Sequence, residues 1–293
     1  MTSLFWTQWQ SLLFLALVVV GITIGLTIKP RFSFDRRAEF SEDKLWFDKL
    51  WFDKLWFDKL TRRDIDKLTR RDNDKEVVKE YFNGVGFERW RRIYGTEPVN
   101  SVQADIRLGH QQTIDRVLTW LKEEGSLENI SICDVGCGTG SLSLPLAQLG
   151  AKVWANDISA RMVEVAKSQA VNPDNPQFQV ADLEQITGTY DTVICLDVLI
   201  HYPLADAQRM IKHLASLSTH RLILSFAPKT LYYAILKKIG SLFPGASKAT
   251  RAYLHPESAI RQTLAAAGFT VTKDAMQKTK FYFSRLLLAE RKT

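Results

Sequence analysis

Cysteine and histidine are scarce in this chain, with three and five residues among 293, and neither falls into a pattern that chemistry would use. Cys133, Cys137 and Cys195 include no C-x-x-C pair, and no group of histidines has metal-ligand spacing. That argues against a disulfide framework and against a zinc site, and predicts reduced, buried thiols in a cytosolic domain with no metal of its own. Charge is missing from Ser11 to Ile28, and the uncharged run extends upstream through Leu4, Phe5, Trp6 and Trp9. About 20 such residues cross a bilayer. The Lys or Arg of a signal-peptide n-region is absent too, as is an A-x-A-like cleavage site, so residues 1–30 read as a transmembrane anchor. Lys29, Arg31, Arg36 and Arg37 follow it, and the positive-inside rule then puts everything downstream on the cytoplasmic side of the membrane.

What is present is enough for one large α/β domain with added segments: 46% of the residues are hydrophobic, and the formal net charge is +7. A positive balance fits nucleic acid, an anionic membrane face or an acidic substrate, and does not choose among them. Residues 31–74 form a repetitive linker. K-L-W-F-D recurs from Lys44 to Leu60, and D-K-L-T-R-R-D occurs at Asp58 and again at Asp66. A five-residue period matches neither helix nor strand, so Trp46, Trp51 and Trp56 share no helical face. The repeats read either as a duplicated spacer or as a segment lying on a membrane surface.

The chemistry starts at Ile130. ISICDVGCGTG is an apolar run that ends in Asp134 and opens into Gly136, Gly138 and Gly140, the pattern of a buried strand turning into a helix at Ser141. Dinucleotide phosphates are held by G-x-G-x-x-G. Here the spacing is G-x-G-x-G with a carboxylate just before it, which suits a cationic ligand, and S-adenosylmethionine carries an ammonium and a sulfonium. D-x-G-C-G-T-G resembles motif I of the class I methyltransferases. That resemblance implies that Asp134, Gly136, Cys137, Gly138 and Gly140 cradle the methionine and ribose ends of the cofactor.

From Lys75 the chain reads as folded protein. Residues 75–124 predict cap helices across the ligand end of the first strand, the longest being an amphipathic helix from Ser101 to Glu124. Two stretches here are unusually particular: F-x-R-W-x-x-I-Y-G, ending at Tyr94 and Gly95, and I-R-x-G-H-Q-Q-T, from Ile106 to Thr113. Joined to the glycine motif, they resemble the magnesium-protoporphyrin IX methyltransferase family over roughly residues 75–290. The first 75 residues are a departure from that pattern.

Downstream, the strand Lys152–Asn156 leads to Asp157, placed to bond ribose hydroxyls or to cap the helix that follows Ser159. A third strand ends near Asp182 and Leu183, which the resemblance places against the adenine. YDTVICL, Tyr190 to Leu196, is a buried strand with Asp197 at its tip. Ile158 and Asp197 complete the expected cofactor contacts. The next residues, DVLIHYP, lack the Asn- or Asp-Pro-Pro-aromatic sequence of enzymes that methylate DNA amino groups, so nucleic acid is not an expected partner. A strand near Arg221–Phe226, a helix after Pro256 and strands at Phe269–Ala275 and Lys280–Ala289 close the expected fold. It is a Rossmann-like, seven-stranded α/β sheet with helices on both faces, occupying residues 125–293.

Residues 227–256 are an insertion in which Tyr232, Tyr233, Leu236 and Phe243 alternate with Lys229, Lys237, Lys238 and Arg251. They suit a flat acidic ring, an ordinary solvated helix or a membrane surface equally. The resemblance implies O-methylation of a propionate of Mg-protoporphyrin IX, with Tyr94 and His201 positioning the substrate and the magnesium carried by that substrate. It also points to a magnesium chelatase subunit as a possible donor of the porphyrin. Methylation of another hydrophobic metabolite such as a quinone is the competing reading. His110 reads either as a packed helix residue, the favoured reading, or as part of the pocket lining, and His213 and His220 as incidental.

Overall fold

In the computed structural model, the residues described are 74–84, 86–229 and 253–292. Three lead-in helices, α1 (Asp74–Asn83), α2 (Phe87–Tyr94) and α3 (Ser101–Glu123), precede the sheet. Then come β1 (Ser131–Val135), α4 (Ser143–Gln148), β2 (Lys152–Asp157), α5 (Ala160–Gln169), β3 (Gln177–Val180) and β4 (Tyr190–Cys195). The chain closes with α6 (Leu204–Leu217), β5 (Ser218–Phe226), α7 (Glu257–Ala266), β6 (Phe269–Lys278) and β7 (Phe283–Arg291). Short 3-10 turns follow β3, at Leu183–Gln185, and β4, at Leu199–His201.

Seven strands form one sheet in the order β3-β2-β1-β4-β5-β7-β6. The first five pair in parallel, and β7 runs antiparallel to both β5 and β6. Alternation along the central strands covers both faces. Cys133, Val193, Cys195, Leu222 and Leu224 pack with Met210, Ile211, Leu214 and Leu264 of α6 and α7. Ile132, Ile194 and Ile223 face the other way, towards Ile114, Val117 and Leu121 of α3, Leu146 of α4 and Val163 of α5. A parallel sheet buried on both faces needs such continuous apolar strands, which is why β1, β4 and β5 stand out in the sequence. Between β1 and β4 the direction of strand addition reverses, and that switch point opens a crevice beyond the carboxyl ends of both strands.

The boundaries depart from expectation in several places, two of them with a cause visible in the fold. Helix α4 begins at Ser143 and not Ser141, because the glycine turn continues through Gly140, which holds φ +85°. The final hairpin extends beyond Ala275 because its turn is held from outside: Asp105 of α3 accepts hydrogen bonds from Thr279 Oγ1 at 2.5 Å and from the Phe281 amide at 2.7 Å. The ends of the expected insertion meet beside β5, where the His255 amide donates to Ala227 O and the Lys229 amide to His255 O, each at 2.8 Å. Residues 230–252, the expected anchor and the repeats up to residue 73 lie outside the described residues. Among those described, no helix is long and apolar enough to cross a membrane.

Candidate active site

The glycine turn after β1 lies at the switch point, and its conformation requires glycine. Gly136 holds φ +75°, and a Cβ there would meet Val198 Cγ2 at 2.1 Å; Gly138 holds φ +55°. A side chain at either position would be strained or would fill the space beside the turn. Gly140 differs: a Cβ on it would meet Phe178, Ala166 and Leu144, so it serves helix packing and does not face the crevice.

Two connected spaces lie around this turn. The larger is lined by Gly136, Gly138, Asp157, Ile158, Leu183, Leu196, Asp197 and His201, and by Val78, Phe82 and Tyr94 of the lead-in helices. The smaller shares Tyr94, Gly136, Gly138 and Leu196 and adds Asp134, Cys137 and His110. No Lys or Arg occurs among the described residues lining either space, whereas three carboxylates do, those of Asp134, Asp157 and Asp197. Such a site selects a cation.

Each carboxylate is held differently. Asp134 is almost fully buried and accepts from Ser143 Oγ at 2.5 Å; burial pushes its carboxyl up to about 6. Asp157 accepts from the Gly138 amide at 2.9 Å and from the Ser159 amide at 2.8 Å, and burial raises it as well. Ser159, not Asp157, caps α5, since its side chain accepts from the Met162 amide. Asp157 therefore braces the glycine turn against the end of β2 while lining the larger space. Asp197 sits at the tip of β4 with φ +55°, and its carboxylate accepts from Ser225 Oγ and Tyr282 Oη at 2.7 Å and from Ser284 Oγ at 3.1 Å.

Tyr94 ends α2 between the two spaces. Its ring stacks at a tilt on Trp90, 5.5 Å away, and on His110, 4.7 Å away. Burial and the nearby Asp197 and Asp157 raise its phenol, so it stays protonated. His201 is lowered to about 4 by burial, which makes it a neutral imidazole at physiological pH; its ring meets Phe82 edge-on at 5.2 Å. The His201 Nδ1 is buried without a hydrogen-bond partner.

Of the residues expected at the site, Asp134, Gly136, Cys137, Gly138, Asp157, Ile158, Leu183, Asp197, Tyr94 and His201 line the two spaces. Asp182 does not. Lys75 of α1 donates to both its oxygens, at 2.9 and 3.1 Å, and the Glu184 amide to one of them, so this carboxylate anchors a lead-in helix. Ala181 and Leu183 line the cavity in its place. Gly140 also lies outside it. His110, for which packing was the favoured reading and pocket lining the alternative, both stacks on Tyr94 and lines the smaller space. Its place in I-R-x-G-H-Q-Q-T was the available signal. The hydroxyls that hold Asp197 carried none, because they come from strands and a hairpin far along the chain. Cys133, Cys137 and Cys195 are free and buried, as expected, and burial pushes the Cys133 thiol up to about 12. Among the described residues, no group of His, Cys, Asp or Glu could hold a metal ion.

A seven-stranded sheet with this order, a glycine turn at its switch point and a carboxylate-lined, cation-selecting cavity define an S-adenosylmethionine-dependent methyltransferase of class I. Residues 132–220 match the methyltransferase-domain family, and residues 195–291 match the C-terminal region of magnesium-protoporphyrin IX methyltransferase. The magnesium-protoporphyrin O-methyltransferase of Synechocystis is 57% identical over 221 residues, covering 74% of this chain and 96% of that protein. The chloroplastic magnesium protoporphyrin IX methyltransferase of Arabidopsis thaliana is 56% identical over 233 residues, covering 78% of this chain and 75% of that protein. The crystal structure of magnesium protoporphyrin IX methyltransferase from Synechocystis with bound S-adenosylhomocysteine superposes with a TM-score of 0.70 at 55% identity, covering 74% of this chain and all of that one. A ubiquinone-biosynthesis O-methyltransferase of Coxiella burnetii is 38% identical over only 34% of this chain. The chain belongs to the magnesium-protoporphyrin O-methyltransferase family.

Proposed function

We propose that the chain transfers a methyl group from S-adenosylmethionine to one propionate carboxylate of Mg-protoporphyrin IX, giving the monomethyl ester and S-adenosylhomocysteine. The observation that carries this reading is identity above half with the Synechocystis and Arabidopsis enzymes over 74% and 78% of this chain. The quinone reading draws on 38% identity over 34% of the chain.

The chemistry asks little proton transfer of the protein. A propionate with a pKa of about 4 to 5 is ionised at neutral pH. One of its oxygens attacks the methyl carbon, the carbon–sulfur bond breaks, and its electron pair returns to sulfur. No proton moves. Catalysis is then alignment, worth about 7 to 11 kcal/mol when oxygen, carbon and sulfur are held in line. Asp134, Asp157 and the glycine turn hold the cationic donor. Tyr94 as a phenol and His201 as a neutral imidazole offer hydrogen bonds to the incoming carboxylate without competing as bases. Leu183 and Ile158 pack the adenosine end.

Membrane attachment through residues 1–30, with the catalytic domain on the cytoplasmic side, is supported by the uncharged run Ser11–Ile28 and the cations after it. Receipt of the porphyrin from a magnesium chelatase subunit is supported only by the poor solubility expected of a free tetrapyrrole.

Incubation of the full chain with Mg-protoporphyrin IX and methyl-labelled cofactor should give a labelled porphyrin monomethyl ester. Label in an added quinone and none in porphyrin would replace this reading by its rival.

A further inference from the structure

The two particular stretches of the lead-in region are joined by one side chain. Arg107, from the second, reaches back to the end of α2: its Nε donates to Ile93 O at 3.0 Å, and one terminal nitrogen donates to Arg92 O at 2.5 Å and Glu97 O at 2.7 Å. Helix α2 has only eight residues, no side-chain cap at its start, and an extended Gly95 after its end. A helix this short is marginal alone, and its last carbonyls lack partners within it. A guanidinium fork supplies donors to several carbonyls at once and puts a positive charge at the negative end of the helix.

Tyr94 is the last residue of that helix. One turn beyond Arg107 along α3, His110 stacks on the Tyr94 ring, and the far edge of the ring faces Gly138, where a Cβ would lie 3.4 Å from Tyr94 Cε2. Ring and hydroxyl are therefore placed by α3 as much as by α2.

We infer that Arg107 is a positioning residue for methyl transfer, acting through Tyr94 by clamping the carbonyl end of α2. This rests on the placement of Tyr94 against the acceptor carboxylate given above. Since a displacement of about 1 Å can cost a hundredfold in rate, loss of the clamp should be read in turnover before affinity.

The test is a double-mutant cycle in the full chain with Mg-protoporphyrin IX and S-adenosylmethionine. Arg107→Gln should lower kcat about tenfold or more while the Kd for S-adenosylhomocysteine stays within about threefold. In a Tyr94→Ala background the same change should alter kcat by less than about twofold, because the residue it positions is gone. Arg107→Lys keeps the charge but replaces the planar fork by a single donor nitrogen; it should fall between wild type and Arg107→Gln, and it remains readable if the glutamine variant does not fold. Equal losses in both backgrounds, for whichever variant folds, would overturn the inference and leave the role of Tyr94 standing. A Tyr94→Ala enzyme with wild-type kcat would overturn both.

Discussion

Tyr282 Oη donates to Asp197 Oδ2 at 2.7 Å, and Tyr282 Oη also lies 2.9 Å from Thr113 Oγ1. One hydroxyl thus ties the C-terminal hairpin, the tip of β4 and the lead-in helix α3 together at the wall of the cofactor cavity. The ring fits because residue 109 is glycine; a Cβ there would lie 2.3 Å from Tyr282 Cδ1. Asp197 carries a left-handed backbone that non-glycine residues adopt at a cost, and its three hydroxyl donors hold it there. Tyr282→Phe keeps the ring and removes one donor to a carboxylate. Denaturant unfolding should show a loss of about 1 to 3 kcal/mol. A variant as stable as wild type would mean that Ser225 and Ser284 suffice.

Asp157 and Ser159 separate bracing of the turn from capping of the helix. Asp157→Ala removes the acceptor of the Gly138 amide together with a carboxylate facing the ligand. Cofactor affinity should fall at least about a hundredfold, the range of a lost charge-assisted pair of hydrogen bonds. Ser159→Ala should cost about 1 kcal/mol in stability and little affinity. Titration calorimetry and thermal melting on both variants check this, and comparable affinity losses in the two would refute the division.

Asp134 should lose its proton when the cationic ligand binds. Its folded pKa of about 6 lies above the usual carboxyl value, because burial disfavours the charge. The sign is therefore that of a raised group: its contribution to the stability of the empty protein is full below pH 4 and is lost as pH rises through 6, a change of roughly 3 kcal/mol. A cationic ligand restores the charged form. Binding of S-adenosylmethionine at pH 6 should release protons that binding at pH 8 does not. Calorimetry in two buffers of different ionisation heat reads this, and identical heats at pH 6 would exclude it.

His201 predicts the opposite pH behaviour. Burial lowers its pKa to about 4, so its neutral form contributes stability that is present above about pH 6.5 and disappears as pH falls through 4. Turnover should show no inflection from this residue between pH 6 and 8. His201→Ala should lower kcat while cofactor affinity stays within a few fold, about threefold at most if its contact is with the acceptor as proposed. An inflection near pH 6.5 that vanishes in the variant would make His201 a titrating base instead.

At Gly136 the constraint is double. Gly136→Ala adds a methyl group where Val198 Cγ2 stands and forces a left-handed backbone on alanine, which costs about 1 to 2 kcal/mol by itself. Cofactor binding should be lost. Adding Val198→Ala should restore part of it, by removing the clash but not the backbone strain. No recovery would place the whole effect in the backbone.

Much of this was legible in one dimension because the signals are local. Apolar runs at 131–135, 190–195 and 221–226 become strands wherever both sheet faces are covered. Positive φ at Gly136 and Gly138 selects glycine whatever surrounds the turn. The buried strands and the glycine turn could therefore be read from the chain by physical pattern, whereas the class I sheet and the family came from the resemblance of its motifs. Of the two alternatives for Asp157, the fold removes the helix cap, because Ser159 caps α5 while Asp157 braces the glycine turn.

The order of residues in the chain determined which elements form and what the cavity binds, since strand burial, turn conformation and carboxylate charge depend on neighbours a few positions apart. Tertiary structure alone decided which carboxylates face that cavity. Asp182 was taken by Lys75, 107 residues away, whereas Asp197 acquired Tyr282 from 85 residues downstream. His110 moved from the packed face of a helix to the side of Tyr94 because α2 folds back on α3. Hydrogen bonds and stacking act over a few ångströms in space, and separation along the sequence does not reveal which partners will come within that reach.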